Sequence, residues 1–66
     1  MRTKLKIFRI SRKLTQQQAA SLLGYERAYY GHVERGFQQG SAAFWERLQT
    51  AFELTEKQVE ELKELD

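Results

Sequence analysis

The segment Thr15–Gly36, TQQQAASLLGYERAYYGHVERG, carries the strongest structural signals in the chain. Thr15 is followed three residues later by Gln18, which is the pattern of a capping box at the start of a helix. Gly24 stands where a left-handed residue would end that helix, and Gly36 stands in the same place after a second helix. The segment therefore predicts two helices, Gln16–Leu23 and Glu26–Arg35.

The rest of the chain predicts three more helices and no strand. A first helix is expected in residues 2–13, Ser41 is placed to cap a fourth, and Thr55 with Gln58 forms a capping box for a fifth. No repeat, linker or low-complexity tract interrupts the pattern, so residues 1–66 are expected to form one all-α, five-helix domain. The aromatic residues expected in its core are Phe8, Phe44, Trp45 and Phe52.

Length and composition exclude several classes of protein. A chain of 66 residues buries only about 60% of its unfolded surface, which leaves little room for an enzyme pocket. We therefore expect neither a catalytic residue nor a small-molecule substrate. With no Cys and one His, neither a disulfide framework nor a zinc site is expected, and no cofactor is implied. The chain has no apolar run of about 18 residues and no secretory signal pattern, so we expect a cytoplasmic protein that does not enter a membrane.

Charge is distributed unevenly along the chain. Residues 1–39 contain eight Lys or Arg and two Glu, a net charge of +6. Residues 40–66 contain three Lys or Arg and seven acidic residues, a net charge of −4. A basic half beside an acidic half predicts one surface for a polyanion, most simply a nucleic acid.

Two helices joined by a short turn that contains glycine form a helix-turn-helix unit. The residues of this unit resemble the Xre family of transcriptional regulators, the lambda-repressor/Cro-like proteins. The matching positions are Leu14-Thr15-Gln16, Ala20, Leu23-Gly24, Arg27, Tyr29 and Val33-Glu34-Arg35-Gly36. The flanking helices align without a gap, so the resemblance covers nearly the whole chain. It implies a lambda-repressor-like fold, double-stranded DNA as the partner, and regulation of transcription, with repression as the simplest action.

In that architecture the third helix enters the major groove with its N-terminal residues first. The resemblance and the predicted outer face of this helix give a base-reading set: Glu26, Arg27, Ala28, Gly31 and His32. Arg27 is suited to guanine O6 and N7, and Ala28 to a thymine methyl. His32 is suited to guanine or to a phosphate. Glu26 either accepts from cytosine N4 or repels phosphate and so enforces the register on DNA. Glycine inside a helix costs about 1 kcal/mol relative to Ala. Gly31 therefore either fits its bare backbone against a base pair or occupies an exposed, tolerant position.

Contacts to DNA phosphates are expected from a second group, the phosphate set: Gln16, Gln17, Tyr29, Arg35, Gln38 and Gln39. Gln16 begins the second helix, where N–H groups and a side-chain amide can meet a phosphate, and the resemblance implies the same contact. The alternative for Tyr29 is that its side chain packs within the fold and does not contact a phosphate. The last three members are expected on a loop that runs along the DNA backbone.

Charges of the first helix have two expected roles. Arg2, Lys4 and Lys6 are expected to attract DNA at long range. The resemblance implies that Arg9 pairs with Glu34. The alternative is that these two are solvated surface charges that contribute little.

Regulators of this type usually bind DNA as dimers, with half-sites roughly 34 Å apart, so a homodimer on DNA is expected. Phe37 either packs under the loop or lies in an oligomer contact, and the apolar stripe Val59, Leu62 and Leu65 either closes the core or meets a second copy. A second class of function is an antitoxin or another protein-interaction module with the same fold. A third is membrane-surface binding through the basic first helix, whose apolar residues are better explained by the core.

Overall fold

Five α-helices and no strand make up the chain, all 66 residues of which are described by the computed structural model. The helices are α1 (Thr3–Ser11), α2 (Gln16–Leu23), α3 (Arg27–Arg35), α4 (Ala42–Phe52) and α5 (Glu56–Lys63). The all-α, five-helix prediction is confirmed. α1 ends before residue 13 because Lys13 has a left-handed backbone, with φ of 59°. No helix has both the length and the apolar character needed to cross a membrane.

Three helices, α2, α4 and α5, begin at the polar residues that predict them. The Thr15 hydroxyl accepts a hydrogen bond from the N–H of Gln18 (3.0 Å), and the Gln18 side chain accepts one from the N–H of Thr15 (2.9 Å). A second capping box at Thr55 starts α5, and the Ser41 hydroxyl caps α4. Each such cap stabilises its helix by about 1 kcal/mol, because it satisfies an N–H group that the helix itself cannot pair.

The turn between α2 and α3 depends on Gly24, whose φ of 78° is left-handed. A side chain at this position would also meet the guanidinium of Arg47, 3.2 Å away. That guanidinium donates to the carbonyl of Leu23 (3.1 Å) and lies 5.1 Å from the ring centre of Tyr25. Since Arg47 belongs to α4, it fastens the turn to the second half of the chain. This role of Arg47 has no local signal in the sequence, because Arg47 and Leu23 are 24 residues apart.

One apolar cluster, to which all five helices contribute, forms the core. Its buried members are Leu5, Ala19, Ala20, Leu23, Tyr30, Val33, Phe44, Trp45, Leu48, Val59 and Leu62. The expectation of a buried Phe44 and Trp45 is confirmed, and their rings pack edge to face at 4.9 Å. Phe8 and Phe52 are half-buried and pack against each other at 5.0 Å. Each buried large apolar side chain stabilises the fold by about 1.5–3 kcal/mol.

Two expectations for apolar residues need correction. α5 ends at Lys63, after which the chain is extended, so Leu65 lies beyond the helix and is exposed while Val59 and Leu62 close the core. Phe37 is 73% exposed, so it does not pack under its loop.

Ala20 of α2 is fully buried, and we expect its small side chain to permit a close crossing of α2 and α3. We expect Ala20→Leu to lower the free energy of unfolding by about 1–3 kcal/mol, because the added carbons must displace a packed neighbour. The measurement is urea denaturation followed by the fluorescence of the single Trp. The matched control is Ala51→Leu on the exposed side of α4, expected to change stability by less than about 0.5 kcal/mol. Equal stability of the two variants would contradict the close crossing.

Candidate nucleic-acid interface

The outward face of α3 presents side chains that the fold leaves unused. Arg27 and Ala28 are exposed in its first turn, and Arg27 takes part in none of the three ion pairs of the chain. His32, one turn later, is half-buried with its ring 6.0 Å from that of Phe37. The residues of α3 that are buried include Tyr30, Val33 and Glu34. Three members of the base-reading set thus share one accessible side.

Glu26 immediately precedes α3 and occupies its N-cap position. Its backbone is extended (φ −75°, ψ 151°), and its side chain is exposed and makes no capping hydrogen bond. The carboxylate therefore lies near the positive end of the helix dipole without closing the first N–H groups. It remains available to an external partner.

Gly31 corrects the expectation of an exposed position, because it is buried although its spacing puts it on the outward side of α3. A Cβ built on Gly31 would stand 3.3 Å from Nη2 of Arg35 and 3.5 Å from Oε1 of Gln16. These two flexible side chains lie over the glycine backbone and exclude water from it. A base pair can reach Gly31 only if both of them move.

Arg35 corrects a second expectation, since it is the last residue of α3 and not a loop residue. Ala28, Gly31 and Arg35 follow each other at spacings of three and four, which puts them on one face of the helix. The Arg35 guanidinium also lies 5.7 Å from the ring centre of Phe37. Arg35 therefore lies beside the base-reading set, with Gln16 next to it.

A buried ion pair joins α1 to α3. The Glu34 side chain is 1% exposed and accepts from Nε and Nη2 of Arg9 at 2.9 and 3.1 Å. Gln16 donates to the same carboxylate at 3.2 Å, and Nη1 of Arg9 donates to the Leu14 carbonyl at 2.8 Å. The interpretation of Arg9 and Glu34 as solvated surface charges is wrong. A bidentate contact of this kind fixes the orientation of α1 and α3 as well as the distance between them.

The environment of this carboxylate shifts two pKa values. Burial alone would raise the pKa of Glu34, but hydrogen bonds from Arg9 and Gln16 outweigh it and hold the pKa below its ordinary value. The pKa of Tyr30 is raised, first by burial and then by the nearby negative charge of Glu34. Both groups therefore keep one protonation state around neutral pH, with Glu34 charged and Tyr30 neutral.

The other members of the phosphate set occupy different places. The Gln17 side chain is exposed and donates to the Ser21 hydroxyl (3.1 Å), away from the α3 face. Gln38 and Gln39 are exposed on the loop before α4. The half-buried Tyr29 accepts a hydrogen bond from the N–H of Ser41 (3.1 Å), so its ring packs while its hydroxyl proton stays available to an acceptor.

The basic residues at the start of α1 do not act together as expected. Arg2 is 4% exposed, because its guanidinium is bound to backbone carbonyl groups. Lys4 forms an ion pair with Glu64 at 2.6 Å, which compensates its charge. Of the three predicted sources of long-range attraction, Lys6 alone is both exposed and outside the ion pairs. The burial of Arg2 left no signal in the local sequence.

A family model described as Helix-turn-helix domain matches residues 1–62. No curated protein and no solved structure matches the chain significantly. The matched region contains α2, the Gly24 turn and α3, together with every residue of the base-reading and phosphate sets.

The lowered pKa of Glu34 predicts a pH-dependent stability. Its carboxylate stabilises the fold above pH 4.5, the ordinary pKa, and this contribution is lost as the pH falls through the lowered pKa of the folded chain. Glu34→Gln should lower the free energy of unfolding at pH 7 by roughly 3 kcal/mol and flatten its decline in acid.

The measurement is denaturant unfolding between pH 2 and 7. The matched control is Glu46→Gln, which neutralises an exposed carboxylate and should change stability at pH 7 by less than about 0.5 kcal/mol. A Glu34→Gln protein with the wild-type acid profile would contradict the role of this carboxylate.

Proposed function

The chain belongs to the helix-turn-helix domain family, and from that premise we propose that it binds double-stranded DNA sequence-specifically, with α3 in the major groove. Domains of this family bind DNA, and the second helix of the unit is the one that reads base edges. Here that helix is α3. The observation that carries the proposal is the unused, accessible first turn of α3, with Arg27 and Ala28 exposed and His32 on the same side.

Each side chain on this face suits a different base edge. Arg27 has the planar fork that binds O6 and N7 of guanine through two hydrogen bonds, and Ala28 offers a methyl contact to thymine. Glu26 accepts from cytosine N4, and His32 donates to guanine or to a phosphate. Gly31 contributes to base reading only where Arg35 and Gln16 move from above it.

Electrostatics favour the same face. Residues 1–39 contain two acidic residues, and one of them, Glu34, is buried against Arg9. Glu26 is therefore the single exposed acid in the first 39 residues, while the remaining acids lie in α4, α5 and the residues next to them. Phosphate contacts come from Gln16 and Arg35 on one side of the α3 face, from Tyr29 in the first turn of α3, and from Gln38 and Gln39 on the loop that follows it.

The action we propose is that of an Xre-like transcriptional regulator that represses by occupying a promoter, since blocking polymerase requires binding alone. We propose that two copies bind one site. The Cα atoms of one copy extend 25 × 24 × 23 Å, so copies on half-sites roughly 34 Å apart would lie close together. The exposed Phe37, just beyond α3, is a candidate for the contact between them.

The test of DNA binding is selection of bound duplexes from a random pool at two salt concentrations. We expect one enriched motif with inverted symmetry, and an affinity that falls with salt by a logarithmic slope of about −0.9 for each phosphate neutralised. Enrichment of no motif together with no salt dependence would overturn the proposal and favour the protein-interaction alternative.

Single variants separate base reading from phosphate contact. Arg27→Ala should lose about 1–3 kcal/mol of discrimination at one base pair, because its fork no longer selects guanine. Gln16→Ala should weaken binding to all duplexes about equally, because phosphates carry no sequence information. Both are measured by fluorescence anisotropy with a set of duplexes that differ by single base pairs.

The matched control is Lys57→Ala on α5, which removes an exposed positive charge from the acidic half of the chain. It should leave the base preference unchanged. An Arg27→Ala protein with unaltered preference at every position would contradict the assignment of the reading face.

A further inference from the structure

Arg2 is a nearly buried guanidinium whose hydrogen-bond partners are all backbone carbonyl groups. Its Nη1 donates to Val33 (2.7 Å) and Gln38 (2.9 Å), its Nη2 to Gln39 (3.3 Å), and its Nε to Lys63 (3.0 Å). The side chain is 4% exposed, and Arg2 belongs to none of the ion pairs. Withdrawing such a charge from water is costly unless its donors are paired, so these contacts are a condition of its burial.

Two of these contacts lie at the ends of helices. Val33 is in the last turn of α3, and the backbone N–H of Arg2 donates to the neighbouring carbonyl of Glu34 at 2.7 Å. Lys63 is the last residue of α5. Carbonyl groups at a helix C-terminus lack partners within the helix and carry the negative end of its dipole. The Arg2 charge therefore compensates two helix ends at once and ties α3 to α5.

The other two contacts hold the loop between α3 and α4. The carbonyl of Gln39 accepts a second hydrogen bond from Nε1 of Trp45 (3.1 Å), and the Arg2 guanidinium lies 5.6 Å from the Trp45 ring centre. A Cβ on Gly40, whose φ is 80°, would stand 2.7 Å from the same indole nitrogen. The loop backbone is thus held from inside, which leaves the side chains of Gln38 and Gln39 exposed.

We propose that Arg2 is a positioning residue for DNA binding, which holds the Gln38–Gln39 backbone in the conformation that meets the DNA backbone. The inference rests on the proposed function and assigns Arg2 no contact with DNA. A loop that is ordered before binding loses less conformational entropy when the complex forms. In this proposal Arg2 positions the loop backbone and does not attract DNA through its charge, which was the expected role.

Arg2→Lys separates geometry from charge. Lysine keeps the positive charge, but its single ammonium group lacks the planar fork that reaches four separate carbonyl groups. The matched control is Lys6→Ala, which removes an exposed charge from α1, the helix that Arg2 precedes, and changes no hydrogen bond to the loop. A charge role predicts loss of affinity in Lys6→Ala and none in Arg2→Lys, whereas a positioning role predicts that Arg2→Lys loses more affinity than Lys6→Ala.

The experiment uses the full chain at a temperature where circular dichroism shows every variant folded. Two quantities are measured: affinity for the selected duplex at two salt concentrations, and amide hydrogen exchange without DNA. We expect Arg2→Lys to bind about tenfold more weakly at both salt concentrations. Its amides in residues 37–40 should exchange faster while those of α2 stay protected. Lys6→Ala should show wild-type exchange and a smaller loss that shrinks in high salt.

A second variant, Trp45→Phe, covers the case in which Arg2→Lys does not fold. It removes the indole donor to Gln39 and leaves every charge in place. We expect faster exchange in residues 37–40 and severalfold weaker binding. Wild-type affinity together with wild-type loop exchange in the variant measured would overturn the inference, as would an affinity loss that high salt abolishes.

The two measurements also separate this inference from the function on which it rests. A wild-type chain that binds no duplex overturns the proposed function, and with it any role of Arg2 in DNA binding. A wild-type chain that binds its duplex, beside an Arg2→Lys protein of equal affinity, leaves the proposed function standing and overturns the positioning role alone.

Discussion

Backbone carbonyl groups in the connections around α2 and α3 need donors, and arginine side chains from elsewhere in the chain supply them. A guanidinium has five N–H groups in a rigid fork, so one side chain can serve several carbonyls or a carbonyl and a carboxylate together. The chain has no Cys for disulfides, and its short length limits the size of its core. The fold therefore depends on these arginine–carbonyl hydrogen bonds. One arginine reaches each connection: Arg9 binds Leu14, Arg47 binds Leu23, and Arg2 binds Gln38 and Gln39.

The Arg9–Glu34 ion pair sets the orientation of α3 relative to α1. A buried ion pair contributes little net stability, because the cost of removing two charges from water offsets their attraction. Its two parallel hydrogen bonds nevertheless fix how α3 is rotated relative to α1, and Gln16 extends the same contact to α2. That rotation buries Tyr30 and leaves Arg27 exposed. It also removes one acid from the surface that we propose for DNA.

Local signals predicted the helix boundaries well because their physical causes are local. The capping box at Thr15 joins residues three positions apart, and the left-handed Gly24 follows from the lack of a side chain. Prediction of exposure was weaker on α3. Spacing places Gly31 outward, but it is the side chains of Arg35 and Gln16 that cover it, and no helical pattern contains that information.

The sequence by itself determined the number and order of the helices, the capped starts of α2, α4 and α5, the glycine turn between α2 and α3, and the burial of Phe44 and Trp45. Those features depend on side chains acting on backbone within one or two turns, or on apolar spacing. Only the tertiary structure decided which charges are exposed. Arg2 and Lys6 stand four residues apart on a basic segment and are alike in sequence terms. Arg2 is buried among backbone carbonyl groups, whereas Lys6 is solvated. The sequence near Arg2 does not reveal this difference, because the carbonyl groups that accept from Arg2 belong to residues 31 to 61 positions away.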